Sequence, residues 1–207
     1  MDYTGFWLLN AAVDAPVSMQ VFALPGADVV CDGPLRDMEP DSIAARIEML
    51  CVRGHLIGMR SRKREKFIPT RDQLLRGIDA DEDVTYGLTP KGGGAWEALA
   101  KPNWAAYVSW RTAYDRNGIV GESEIEASSE TRLTEHLAAL EQAGYEVIPG
   151  TEKRANLKPW PVFYWKTLSE GLRLTIAHHM PVEEGAEVDM AGWFQLPAPA
   201  SFERPDT

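Results

Sequence analysis

The chain has 207 residues, with 21 basic against 31 acidic side chains and a formal net charge of −10. Its 44% hydrophobic and 25% charged residues are those of a folded globular protein, which excludes intrinsic disorder, collagen and a disulfide scaffold. No apolar run approaches the roughly 20 residues of a membrane span. Asp2 and Asp14 interrupt the N-terminal apolar stretch, so no secretory signal is expected. Cys31 and Cys51 form no CxxC pair and read as buried thiols of a cytoplasmic protein with no membrane partner.

In chain order, Phe6 to Val13 is apolar and stops before Pro16, which predicts a short helix. Val17 to Leu24 suits a helix or a strand, and Pro25-Gly26 and Gly33-Pro34 bracket a turn. Asp41 or Ser42 caps the next helix, whose Ile43, Ile47 and Leu50 form one apolar stripe and whose end is marked by Gly54. His55 to Met59 reads as a strand. Residues 60–83 read as a charged loop with a helical turn near Gln73-Leu74-Leu75. Val84 to Leu88 is a further strand, and Thr89-Pro90 opens a helix, Gly94 to Ala100, that Pro102 closes.

The period then changes. Ala105 to Tyr114 and Glu122 to Ala127 read as strands around the Asn117-Gly118 hairpin signal. Ser128 or Ser129 caps a helix carrying Leu133, Leu137 and Leu140, and Tyr145–Ile148, Phe163–Leu168 and Leu172–His178 read as strands. The fold class expected is α+β.

Charge is segregated. Residues 1–41 hold seven acids against Arg36, residues 42–77 hold nine bases against Glu48, Glu65 and Asp72, and residues 122–146 hold seven glutamates against Arg132. A basic patch on an acidic body can still meet phosphate.

The order of a capped helix, Leu50-Cys51-Val52-Arg53-Gly54-His55-Leu56-Ile57, a charged hairpin, and Leu88-Thr89-Pro90-Lys91-Gly92 resembles a winged helix–turn–helix domain of the MarR-like and PadR-like kind. Gly54 suits a left-handed turn, Leu56 and Leu88 seal a wing base, and Thr89 caps the following helix. The resemblance covers about half the chain. It implies a winged-helix domain over 1–103; the element order after a boundary near Pro102–Trp104 gives a small sheet-and-helix domain over 104–196 and a tail over 197–207. The resemblance further implies a transcription regulator that binds double-stranded DNA, and a dimer, since paired half-sites multiply weak modules. The residues it assigns to nucleic acid are Arg46 and Arg53 on the helix, and Arg60, Arg62, Lys63, Arg64 and Lys66 on the wing. In an extended wing, Arg60, Arg62, Arg64 and Lys66 share one side.

No catalytic signature stands out. Lys91-Gly92-Gly93-Gly94 lacks the order of a phosphate loop, and His178-His179 are adjacent residues that point to opposite faces of a strand. A non-enzymatic protein without cofactor or metal is expected. A partner surface is expected in the second half, where Glu122, Glu124 and Glu126 alternate on one strand face and Trp160, Val162 and Tyr164 share another. The alternative reading is an immunity-type inhibitor that neutralises a basic toxin or nuclease through the acidic blocks at 28–41, 122–146 and 183–206.

Overall fold

The computed structural model describes residues 1–23, 35, 38–60, 65–116, 119–179 and 193–194. Among the described residues, five α-helices and three antiparallel sheets make it an α+β protein. It divides into two compact units. The first comprises the described residues of Met1–Lys101 with Phe163–Lys166; the second comprises those of Pro102–Val162 and Thr167–Gln195. The segment 163–166, which the sequence places with the second half, thus groups with the first. The tail expected over 197–207 lies outside the described residues.

In the first unit, helix α1 (Tyr3–Ala11) starts on Asp2, whose carboxylate accepts from the Gly5 N–H at 2.9 Å. The ambiguous run after it resolves into a short strand β1 (Val17–Ser18) and a 3-10 turn, Met19–Ala23. Helix α2 (Pro40–Val52) begins with proline in its first turn and buries Ile43, Ala44, Ile47, Leu50 and Cys51. Gly54 then adopts φ +73, a backbone that an L side chain rarely takes, and the chain enters β2 (Leu56–Arg60).

The charged stretch is more ordered than its composition suggests. It contains β3 (Glu65–Phe67) and a full helix, α3 (Arg71–Ile78). A capping box starts that helix: Thr70 accepts from the Gln73 N–H while the Gln73 side chain accepts from the Thr70 N–H. Strand β4 (Thr85–Leu88) leads through Thr89, which caps α4 (Pro90–Ala100) by accepting from the Gly92 N–H at 3.0 Å. The sheet runs β1-β4-β2-β3. Helix α1 packs on α4, and α2 packs on both β2 and α3.

The core of this unit includes Phe6, Leu9, Ile47, Leu56, Leu74, Tyr86 and Trp96, each wholly or almost wholly buried. Each such Phe, Leu or Ile side chain stabilises the fold by about 1.5–3 kcal/mol relative to exposure. The Trp96 indole N–H meets Asn10 Oδ1 at 3.0 Å, so its polar edge is satisfied inside.

In the second unit, β5 (Val108–Tyr114) follows a 3-10 turn at Trp104–Ala106 and pairs with β6 (Val120–Ala127). Helix α5 (Glu130–Gln142), capped by Ser129, packs on this sheet. Strands β7 (Glu146–Val147), β8 (Lys153–Leu157), β9 (Trp160–Phe163), β10 (Lys166–Leu168) and β11 (Gly171–His179) follow. The main sheet runs β5-β6-β11-β7, with β8 also on β11. Ile125, Ala127, Leu133, Leu140, Tyr145, Leu174 and Ile176 form the core between sheet and helix. The expected single strand over 163–168 is instead two strands, because residues 164 and 165 turn between β9 and β10.

Candidate nucleic-acid interface

Helix α2 presents two of the expected cations. Arg46 is half-buried and its guanidinium pairs with Asp2, while a second nitrogen lies 3.7 Å from Met49 Sδ. Burial, and then the nearby Arg53 charge, lower the Arg46 pKa from its ordinary value. Arg53 is exposed at the C-terminal end of α2. Lys91 of α4 reaches the same corner and donates to the Arg53 carbonyl at 2.7 Å, covering a backbone acceptor left over at the helix end. His55 lies beside both. Burial, then Lys91, lowers its pKa, with Arg53 acting in the same direction.

The opposite flank of α2 is occupied. Arg71 pairs with Asp41, and its N–H donates to Glu48 Oε1 at 3.0 Å, so α3 is fastened along that side. Between the two flanks, the outward positions are Ser42, Ala45, Met49 and Val52, of which Val52 is 70% exposed.

The hairpin differs from the expected extended wing. Arg60 and Glu65 are Cα partners, as are Met59 and Lys66, so the chain reverses between them. Arg60 and Lys66 therefore do not line one side of a single strand. Arg60 pairs with Glu65 at 3.2 Å and lies 4.7 Å from the Phe67 ring centroid, a cation–π contact. Lys66 is exposed. Arg62, Lys63 and Arg64 lie outside the described residues. The acids on the returning arm are engaged in part with α3, since Glu82 accepts from Arg76 at 3.0 Å.

The residues expected to meet a protein partner are arranged otherwise. Glu122, Glu124 and Glu126 do share one face of β6, opposite the core residues Ser123, Ile125 and Ala127. Arg173, across the sheet on β11, binds two of them: Glu124 at 3.2 Å, and Glu126 through a short pair. Glu126 is only 6% exposed and also accepts the Trp160 indole N–H at 2.7 Å. Trp160 is fully buried, packed over Gly171, and is therefore part of the interior rather than a partner surface. Tyr164 is 46% exposed, but its hydroxyl accepts from the Leu88 N–H and donates to the Ala12 carbonyl, each at 2.6 Å. Of the five, Glu122 alone is exposed without a described side-chain partner.

One contact has the reach of a nucleophile–base pair: Ser123 Oγ lies 2.7 Å from His178 Nε2. Both side chains are fully buried. Ser123 also accepts from the Trp110 indole N–H and bonds the Thr112 hydroxyl, each at 2.8 Å. The group is saturated by its own neighbours and leaves no place for a reacting atom. Spacing along the chain gave no sign of it, because 55 residues separate its members. Cys51 is equally inert: burial, then Glu48, pushes its thiol up to about 12.

No membrane-crossing helix, and no cluster of three or more His, Cys, Asp or Glu placed to hold a metal, occurs among the described residues. Comparison with protein-family models, curated proteins and solved structures finds no match to this chain.

Proposed function

We propose that this chain is a non-enzymatic, cytoplasmic DNA-binding regulator, with a winged-helix module in its first unit and a partner- or ligand-binding module in its second. The observation that carries the reading is the pairing of Leu56 with Leu88, which are 0% and 3% exposed. Through it, α2 passes by way of left-handed Gly54 into β2, β2 lies against β4, and β4 passes through the Thr89 cap into α4. This supports a helix followed by a wing base, with the β2–β3 hairpin as the cationic arm.

On α2, the start of α4 and the β2–β3 hairpin, the exposed cations among the described residues are Arg53, Lys91 and Lys66, and the sequence joining β2 to β3 adds Arg62, Lys63 and Arg64. Arg46 and Arg60 already hold carboxylates and contribute less. The saturated Ser123–His178 pair supports a binding role over a hydrolytic one. A gel-shift comparison tests the reading. The unaltered chain should retard a duplex at low salt, and the combined variant Arg62→Ala, Lys63→Ala, Arg64→Ala should lose most of that affinity while melting at the same temperature. Equal retardation by the two proteins would remove the hairpin from the proposal.

A further inference from the structure

Resting on the DNA-binding reading, we infer that α2 meets duplex DNA through the phosphate backbone and without selecting a base sequence, anchored at the corner where Arg53 and Lys91 converge.

The residue types on the helix argue for this mode. Reading base edges in the major groove takes Arg, Lys, Asn or Gln projecting from the helix face. Outward from α2 stand Ser42, Ala45, Met49 and Val52, which between them offer one hydroxyl. The polar side chains that flank this strip are committed elsewhere. Arg46 is held by Asp2 and lies against Met49, Asp41 pairs with Arg71, and Glu48 accepts the Arg71 N–H. A helix face so furnished can lie in a groove and touch thymine methyl groups, but it cannot make the bidentate contacts that separate one base pair from another.

The two cations at the end of that strip are different. Arg53 is exposed and carries no ion pair among the described residues, and Lys91 is exposed with its ammonium 2.7 Å from the Arg53 carbonyl. Phosphate contact needs charge and reach rather than a base-specific pattern, and it positions the helix without reading sequence. No ion pair to Arg53 or Lys91 occurs among the described residues, and Asp2 is taken up by Arg46 and by the start of α1. Against a chain of net charge −10, this corner keeps an uncompensated positive character that suits a polyanion.

The experiment enriches duplexes from a random-sequence pool on the full chain, then measures by fluorescence anisotropy its affinity for the most enriched duplex and for an unselected one. The inference expects affinities within about tenfold of each other, against the roughly 10³-fold or greater preference of sequence-specific binders. It also expects the Arg53→Ala, Lys91→Gln double variant to reduce the log–log salt slope by about 2, at about 0.9 per lost phosphate contact, equally on both duplexes. Arg116→Ala, an exposed cation of the second unit, should leave the slope unchanged. A preference beyond tenfold, or an unchanged slope in the double variant, overturns this inference and leaves the DNA-binding reading standing. Failure of the unaltered chain to bind either duplex overturns both. Unchanged circular dichroism and melting in the double variant separate lost contact from lost fold.

Discussion

The hydroxyl of Tyr164 bridges two backbone groups of the first unit, accepting from the Leu88 N–H and donating to the Ala12 carbonyl at 2.6 Å each. The next residue, Trp165, donates its indole N–H to the Val13 carbonyl at 2.8 Å. Residues from late in the chain thus satisfy the ends of α1 and β4, which a fragment ending at residue 101 would leave open. Tyr164→Phe removes both hydroxyl contacts, and each unmade buried bond costs about 1–3 kcal/mol. Urea unfolding should show a loss of about 2 kcal/mol. Burial pushes this phenol up to about 12, so alkaline titration of the folded protein should show a tyrosine that ionises only near that value, absent from the variant.

Two adjacent glycines of α4 should respond oppositely to alanine. A Cβ on Gly93 would stand 2.0 Å from the Trp165 ring, whereas a Cβ on Gly94 meets nothing within 4 Å. Gly93→Ala forces the ring out and should cost about 1–3 kcal/mol or more. Gly94→Ala should stabilise by about 0.5–1 kcal/mol, because alanine loses less backbone entropy in a helix. Thermal melts of the two single variants check the contrast.

Glu126 binds Trp160 and Arg173 together in a nearly closed site. Glu126→Ala leaves an indole N–H unpaired and a guanidinium without its main partner, and should cost about 2–4 kcal/mol, the partial exposure of Arg173 lowering the figure. Adding Arg173→Met should recover part of that loss. A double-mutant cycle by denaturant unfolding measures it.

Three histidines have pKa values below the ordinary 6.5, burial being the first cause at each. Lys91 comes next for His55, Arg132 for His136 and the charge of His179 among the causes for His178. As pH falls through about 6.5, the unfolded chain binds protons that the folded chain refuses. The stability they contribute is complete above about 6.5 and is lost as pH drops through the lowered folded values. Unfolding free energy should therefore be smaller at about pH 5.5 than at pH 7.5, by at most about 1.4 kcal/mol per pH unit for each proton. His136→Gln should flatten the dependence, and a slope of the opposite sign would contradict the assignment.

Local signals were legible where one short stretch decides the structure. The Ile43, Ile47, Leu50 stripe, the left-handed Gly54 and the Thr89 cap all occur as their residue types require. Helix α3 was legible only as a helical turn near Gln73-Leu74-Leu75, although Thr70 and Gln73 carry its capping box, because the surrounding charge obscured the Leu74–Ile78 spacing. The turn at Tyr164-Trp165 contains no glycine, proline or asparagine, so an unbroken apolar run read as one strand. Alternation separates the faces of a strand but does not say which is covered. Trp160 is interior because Gly171 lets its ring approach, and Glu126 is neutralised by Arg173, 47 residues away.

Salt dependence tests most directly whether this acidic chain holds duplex DNA through a few clustered cations. With about five phosphate contacts, affinity should fall by two to three powers of ten between about 50 and 200 mM salt, along a straight log–log line. Absence of duplex binding at the lowest salt, or an affinity indifferent to salt, would contradict this mode of binding.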